Sequence, residues 1–558
     1  MLGYDAFAIG NIIGHVLKVA ILVALLLAAV RLSSISKSSL PAKRPCRRVV
    51  MLSATLAAMF LPIGWRLALL PWRPIPEPVF HDEFTHLLVA DTLIHGRLAN
   101  PPHALWRHLD TLYVLQRPNY ASIYPVGQGA MLAAGGILTG NPWYGVVLAT
   151  ALMCGAMAWV LFELLPLWWA AAGILPIAFT YGLAWLDSYW GGAFCALGGA
   201  ILFGALLRLR KSPSAAMTFV AALGWSIIWL IRPFESIFLF FFLWGSIAIL
   251  AVRAGGARKR AGISRRQWIT PVAMLAFVQG LAGALTLLHN RAVTGSFTEL
   301  PYTLSRQVDG VPQNFAGQPP VAAPPFRFPE MREMYFWQLA QKQRTAFARA
   351  RSMTRMVWEF FVTPWFTLPF FLALFAIQDR AVLAAWALLF CAAAASLLYP
   401  FFFPHYIAAY ACVLAFLIVR GLMVLAGWSF RGRPVGRWFA LFIFLGGLLN
   451  EPLAIASPNS MPNGPDSRLE NSRAFIRDKL KNMGGAHVAF VRYGPQHQMF
   501  DEWVYNAADV DAAPVVWCRW MGLDEDREVM RYYPGRKFWI VDVDATRIAT
   551  GVSRYLQR

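Results

Sequence analysis

Long apolar runs separated by short polar or basic connections set the pattern of this chain. WYGVVLATALMCGAMAWVLF (Trp143 to Phe162) carries no charge at all, and a helix needs roughly 20 mostly apolar residues to cross the hydrocarbon core of a bilayer. Read from end to end, the pattern predicts about twelve membrane spans. They lie near residues 12–31, 50–72, 143–162, 167–185, 189–208, 216–232, 234–252, 270–289, 361–377, 381–399, 406–425 and 438–456. A further run, GQGAMLAAGGILTG (Gly127 to Gly140), is short and rich in glycine. It is expected to lie on the surface or re-enter without crossing.

Arg and Lys gather near residues 31–48, 208–211, 253–266 and 420–437, which marks those connections as cytoplasmic. Alternation then places residues 73–142, residues 290–360 and everything after about 457 on the outer side. The second of these segments holds Arg306, Arg327, Arg332, Lys342, Arg344, Arg349, Arg351 and Arg355, but long loops escape the charge rule. The first apolar run has its basic residues behind it, from Arg31 to Arg48. A cleavable leader carries them in front, so an uncleaved first span with its N-terminus outside is expected.

Composition agrees with this pattern. At 58% hydrophobic and 14% charged, with a mean hydropathy of +0.49, the chain is too apolar for a soluble globular protein. The formal charge of +21 sits in short loops as a topology signal, which argues against a nucleic-acid partner. The 6 cysteines form no disulfide framework and no CxxC pair.

Beyond SPNSMPNGPDS (Ser457 to Ser467) the character changes. A capping box from Ser467 to Glu470 and an apolar stripe at Leu469, Ile476, Leu480 and Met483 predict a helix. HVAFVRY, PVVWCRW and KFWIVDVD read as strands with connections long enough for crossovers. The expected architecture is an α-helical polytopic membrane protein with a small C-terminal α/β domain on the outer face. Its parts are residues 1–49 (extra span and basic loop), 50–456 (transmembrane domain) and 457–558 (outer domain).

Candidate chemistry collects at the outer ends of the spans. In EPVFHDEFTHLLVADTLIHGRL (Glu77 to Leu98), Asp82 and Glu83 open a predicted amphipathic helix that ends at Gly96. The helix dipole there favours an ionised carboxylate as base or metal ligand; the plain alternative is that Asp82 is only an N-cap. A second acid, Asp187 in AWLDSYWGG, falls at the same depth. Paired carboxylates can divide the work of deprotonating an acceptor and stabilising charge or a metal, while a lone Asp in a turn is otherwise only solvated. His81, His86, His95, His103 and His108 place half of the 10 histidines in one loop. With Asp82, Asp187 and His81 as candidate ligands, a divalent metal is one reading. Histidines that bind sugar hydroxyls or phosphate are the other, since no HExxH or similar compact spacing occurs. Arg232 in IRPFES, Arg291 in HNRAVTG, and His405 with Tyr406 in FFFPHY place ionisable or polar groups at span ends, where such groups often mark a polar ligand's path. A pair with Glu235, or snorkelling, is the simpler account of Arg232.

Together these features resemble the GT-C superfamily of polytopic glycosyltransferases, which includes the protein O-mannosyltransferases and the aminoarabinose transferase of lipid A. The resemblance rests on Asp82 and Glu83 soon after a core span, Asp187 in the next outer connection, YPVGQG (Tyr124 to Gly129), RPFE, NRAVTGSFTELPYTLSR and PHY. It covers residues 50 to about 456. NPPH, SYWGG, VRYGP and EWVYN also look like segments of a group of uncharacterised bacterial membrane proteins. The chain departs from the mannosyltransferases in its added N-terminal span and in lacking their β-trefoil domain.

The resemblance implies a multi-pass enzyme of the bacterial inner membrane with its C-terminal domain periplasmic or extracellular. Its donor would be a polyprenyl-phosphate sugar and its acceptor a lipid, glycan or protein. Asp82 would be the base of an inverting transfer, with Glu83 and Asp187 beside it. His86 and Tyr124 would line the substrate site, and Arg232, Arg291, Arg306, His405 and Tyr406 would hold the donor phosphate or sugar. No Gly-rich nucleotide loop is present, which suits a lipid-linked donor. A transporter or lipid flippase is the main rival, although such carriers keep ionisable groups near the bilayer midplane, and here the acids lie at span ends. A receptor anchored by its spans is a third reading.

Overall fold

The computed structural model describes residues 46–254, 265–456, 472–495, 497–544 and 551–555. In chain order its helices are α1 (Arg47–Ala68), α2 (His81–Ile94), α3 (Val126–Thr139), α4 (Trp143–Leu164), α5 (Leu167–Leu186), α6 (Gly192–Leu209), α7 (Ala215–Ile231), α8 (Pro233–Ala254) and α9 (Ile269–Thr294). There follow α10 (Pro301–Val308), α11 (Pro329–Gln343), α12 (Ala346–Val357), α13 (Thr363–Leu372), α14 (Arg380–Ser396), α15 (Ala411–Ala426) and α16 (Val435–Ala456). The C-terminal part adds α17 (Arg473–Asn482) and α18 (Leu523–Tyr532).

Among the described residues, 9 helices are long and apolar enough to cross a membrane. Two more predicted spans fall on α7 and α14, each 17 residues long. The span expected near 12–31 and the capping box from Ser467 to Glu470 lie outside the described residues. The short apolar run is a 14-residue helix, α3, closed by Gly140 at φ 79°, a left-handed conformation that suits glycine.

One boundary differs from expectation. The span placed at 361–377 belongs to a helical run that begins far earlier, at Ala346, and continues to Ala376 through a π-helical turn at Trp358–Val362. Thr345 caps it by accepting the Ala348 N–H at 3.2 Å, and Arg355 pairs with Glu359 one turn on at 2.7 Å. Charged residues of this kind are good helix formers, so an apolar window alone underestimates the helix.

Ion pairs mark the helix ends away from Asp82. Glu163, at the end of α4, meets Lys211 and, at 3.7 Å, Arg208 at the end of α6. Asp379, capping α14, lies 3.7 Å from Arg420 of α15. The acids that drew attention in the sequence collect at the other end.

There α3 is the piece that brings elements together. A Cβ on Gly127 would sit 2.6 Å from the Leu230 carbonyl oxygen of α7, and one on Gly129 only 2.2 Å from Val89 Cγ1 of α2. The two glycines therefore let α3 wedge between the helix that carries Asp82 and the helix that leads to Arg232. Gly129→Ala gains up to about 1 kcal/mol of helix propensity. It also drives a methyl into Val89, whose β-branched side chain cannot swing aside, and overpacking costs about 1–3 kcal/mol. The variant is expected to melt at a lower temperature in detergent, and an unchanged melting temperature would refute the close approach.

The C-terminal part is built on a sheet ordered β4-β3-β5-β6, with β3 (His487–Tyr493) parallel to β4 (Val515–Arg519) and β5 (Lys537–Val543), and β6 (Gly551–Arg554) antiparallel to β5. The three strands expected from the sequence are those of the parallel core. Alternate residues face opposite sides. Ala489, Val491, Trp517 and Val541 pack with Ile476 and Leu480 of α17. Val488, Phe490, Val516 and Phe538 join Val529 of α18 and the loop residues Leu105 and Leu109, in a cluster that reaches Phe84 and Leu88 of α2. A small two-stranded pairing, β1 (Val114–Leu115) with β2 (Ala121–Ser122), orders the loop between α2 and α3. The sheet thus backs the helix that carries Asp82.

Candidate active site

The N-terminus of α2 begins after Phe80, which leaves Asp82 in the first turn and makes Phe80 the N-cap. Glu83 does the capping. Its Oε2 accepts the N–H groups of Val79 at 2.9 Å and Phe80 at 3.2 Å, and its Oε1 accepts Tyr189 N–H at 3.0 Å. Burial raises the Glu83 carboxyl pKa, and the three N–H bonds pull it back. Those bonds tie α2 to the connection after α5, and Gln128 of α3 donates to the Tyr189 carbonyl at 2.8 Å.

Asp187 is placed differently from Asp82. One oxygen meets Arg66 Nε at 3.0 Å and the other Arg73 Nη2 at 2.5 Å. Arg66, 1% exposed, also donates to the carbonyls of Arg73 and Pro74, each at 2.7 Å, while Arg73 reaches the Ile455 carbonyl at 3.1 Å. Asp187 therefore sits in an anchor that joins the end of α1, the turn behind it and the end of α16. Both carboxylate oxygens of Asp187 are thus taken up by guanidinium groups.

Asp82 keeps its carboxylate accessible, with a side chain 22% exposed. The Tyr124 hydroxyl donates to its Oδ1 at 2.5 Å. Burial pushes the Tyr124 phenol far up, with Asp82 adding to the shift, so Tyr124 stays a neutral donor. His81 Nε2 stands 3.9 Å from the same oxygen. Around them lies an aromatic box: Tyr124 has ring centroids at 4.7 Å from His86, 6.1 Å from Tyr113 and 5.7 Å from Tyr302.

Arg232 closes the opposite side. Its guanidinium binds Glu235 Oε1 at 2.6 and 3.0 Å and lies 3.8 Å from the Tyr406 ring centroid. Tyr302 lies within the electrostatic reach of both Asp82 and Arg232, as does His86. Burial lowers the His86 pKa to about 4, so this histidine is neutral at pH 7 and Arg232 supplies positive charge. His405 packs on Trp190 at 4.9 Å and on Tyr406 at 4.9 Å.

Several polar atoms of this neighbourhood are buried without a partner among the described residues: Nδ1 of His81, His86 and His405, Nε1 of Trp190 and Oε2 of Glu235. Buried polar groups are otherwise almost always satisfied, so a cluster of orphans is the mark of a place for water or ligand.

Asp82, His86, Tyr124, Arg232, His405 and Tyr406 are thus neighbours through this box. Arg291 is exposed and stacks on Phe297 at 4.7 Å, and Arg306 donates to the carbonyls of Pro312 at 3.3 Å and Pro319 at 3.1 Å. Among the described residues no group of three or more His, Cys, Asp or Glu is arranged to hold a metal ion, and Asp187 is engaged by the two arginines.

Sequence reasoning passed over Tyr113, Trp190 and Tyr302. Tyr113 has φ 62°, a conformation rare for a bulky residue and found disproportionately at functional sites; its hydroxyl accepts from Gln338 of α11 at 2.8 Å. Trp190 and Tyr302 lay inside SYWGG and the segment opening the second large loop, where the polar residues drew attention instead.

The back of α2 is gripped by the C-terminal part. Phe84 stacks on Tyr505 at 4.5 Å and 6°, Asp91 accepts the Ala508 N–H at 2.6 Å, and Phe500 lies over His81 at 6.0 Å.

No family model and no curated protein matches the sequence. Among solved structures the chain is similar to ArnT from Cupriavidus metallidurans in the apo state, with 13% identity, a TM-score of 0.48, and coverage of 88% of this chain and 92% of that one. ArnT bound to undecaprenyl phosphate gives 11% identity and a TM-score of 0.46, with coverage of 88% and 92%. The apo oligosaccharyltransferase of Archaeoglobus fulgidus gives 12% and 0.44, with coverage of 89% of this chain and 70% of that one. At such identities and TM-scores the likeness carries no residue assignments.

Proposed function

We propose that the chain is a membrane glycosyltransferase that moves a sugar from a polyprenyl-phosphate donor to an acceptor hydroxyl at the outer face of a bacterial inner membrane. One observation carries this: an accessible carboxylate, Asp82, shares an aromatic box of unsatisfied polar groups with the guanidinium of Arg232 at one end of a bundle of apolar helices. An anionic head on a lipid tail fits such a place, with the tail among the helices and the phosphate at Arg232. The sequence resemblance to GT-C enzymes points to the same donor class. ArnT from Cupriavidus metallidurans has been solved with undecaprenyl phosphate, and the oligosaccharyltransferase AglB of Archaeoglobus fulgidus with a dolichol-phosphate.

In the transfer, the acceptor oxygen attacks the anomeric carbon while the bond from that carbon to the phosphate oxygen breaks. Asp82 takes the acceptor proton; the electron pair leaves on the lipid phosphate, whose charge Arg232 stabilises. Attack opposite the departing phosphate inverts the anomeric centre. Tyr124, held neutral, aims the carboxylate, while Glu83 and Asp187 fix the elements around it.

Titration of the full chain in detergent with undecaprenyl phosphate tests the anion site. Hydrogen bonds to charged groups are worth about 1.5–3 kcal/mol, so Arg232→Gln is expected to weaken binding roughly tenfold or more. Equal affinity in the variant would remove Arg232 from the donor site.

A further inference from the structure

A cavity lies apart from the Asp82 box. It is a cleft of about 1030 Å³ between the start of α11 and the loop after β3, lined by Phe326, Phe328, Phe336, Arg332, His497 and Gln498. Phe336 is 48% exposed, and the Arg332 guanidinium lies 5.7 Å from its centroid. His497 is only 8% exposed. Its ring stacks on Tyr493 at 3.8 Å, and its Nδ1 meets Asp544 Oδ2 at 2.5 Å. These two contacts fix the imidazole, and its Nε2 is left buried without a partner among the described residues.

The lining specifies a ligand. Exposed aromatic faces pack against the C–H faces of sugar rings, while planar guanidinium, amide and imidazole groups reach ring hydroxyls. The lining carries one cation and one anion in Arg332 and Glu333, and Arg327 is engaged by Asp110 at 3.3 Å, so the cleft suits a neutral ligand better than an anion. Its volume stands at the upper end of small-molecule sites, roughly 300–1,000 Å³, which accommodates several sugar rings. The wall behind it is a cluster of Met331, Met334, Met499 and Phe500, and Phe500 is the ring that lies over His81. A ligand in the cleft is thus separated from the Asp82 box by a side-chain layer.

We propose that this cleft binds the saccharide portion of the acceptor, a neutral oligosaccharide, as an anchoring site outside the Asp82 box; this rests on the transferase function proposed above. Recognition of the acceptor would then be shared between α11 and the C-terminal part, which explains why the two are built against each other.

The test is a glycan array of neutral and acidic oligosaccharides probed with the detergent-solubilised full chain, Asp82→Asn, and the double variant Phe336→Ala with Arg332→Ala. Both altered cleft residues are exposed, so folding is expected to survive, and a matching melting temperature checks this. The wild-type chain and Asp82→Asn are expected to retain the same neutral glycan, and the double variant to bind it at least tenfold more weakly. Retention of no neutral glycan, retention of acidic glycans alone, or equal retention by the double variant would overturn the proposal. Loss of glycan binding with transfer dependent on Asp82 refutes the cleft alone, whereas glycan binding with transfer indifferent to Asp82→Asn refutes the catalytic assignment.

Discussion

Asp82→Asn is expected to slow sugar transfer by about 10²–10⁴, the usual contribution of a positioned general base, while stability stays within about 0.5 kcal/mol of the wild type, as for changes away from core packing. The two outcomes separate because of how the first turn of α2 is built. Glu83, not Asp82, satisfies the N-terminal N–H groups, and Asp82 takes a bond from Tyr124 that an amide oxygen also accepts. Asparagine therefore preserves shape and the bond from Tyr124 while removing the negative charge and with it the capacity to take a proton. Steady-state transfer measured beside a thermal melt checks both halves. A variant with wild-type turnover would exclude Asp82 as the base, and one that lost activity only by unfolding would make it a structural residue.

Arg519→Met is expected to produce the largest loss of stability. Arg519 is 2% exposed. Its Nη1 meets Glu330 at 3.0 Å, its Nη2 meets Glu502, and its Nε donates to the Asp110 carbonyl at 2.7 Å. One side chain thereby joins β4, α11 and the loop between α2 and α3. Glu502 and Glu330 are themselves 1% and 7% exposed, so removing the cation strands two buried carboxylates. Breaking a buried pair costs about 3–5 kcal/mol. Protease susceptibility near residue 472 and the melting temperature are the readouts, and transfer is expected to fall with them because the same region seats Phe500 over His81. Adding Glu330→Gln and Glu502→Gln to Arg519→Met removes the stranded charge and is expected to recover much of the loss. A single variant as stable as the wild type would show that the network does not hold these elements together.

Much of the fold was legible because hydrophobic length and period are local properties. The eleven spans predicted within the described residues fall on helices, α2 runs from His81 toward Gly96 as its apolar spacing required, and the strands at 487–493, 515–519 and 537–543 match β-rich runs. What stayed hidden depends on contacts far apart in the chain. Arg66 looks like a stray cation in an apolar helix until Asp187, 121 residues on, comes to meet it. The pairing of Arg519 with Glu330 spans 189 residues, and the stacking of Phe84 on Tyr505 joins the first loop to the C-terminal part.

The site shows the same division. Asp82, Arg232, His405 and Tyr406 stood out because charge and polarity at the end of an apolar run are costly and thus conspicuous. Tyr113, Trp190 and Tyr302 did not, since an aromatic residue near a membrane is ordinarily an interfacial anchor. YPVGQG was recognisable as a pattern, but its purpose appears only in three dimensions. Tyr124 holds Asp82, Gly127 and Gly129 admit the two neighbouring helices, and Gln128 fixes Tyr189.

Cleavage of a sugar from a lipid phosphate at the Asp82 box is the proposed reaction. It is tested most directly by incubating the purified full chain in liposomes with a polyprenyl-phosphate sugar and an acceptor extract, and measuring free polyprenyl phosphate by mass spectrometry. The predicted result is release of lipid phosphate equal to the sugar transferred, and none above background with Asp82→Asn. Intact donor carried across the bilayer without release, or release unaffected by Asp82→Asn, would contradict it.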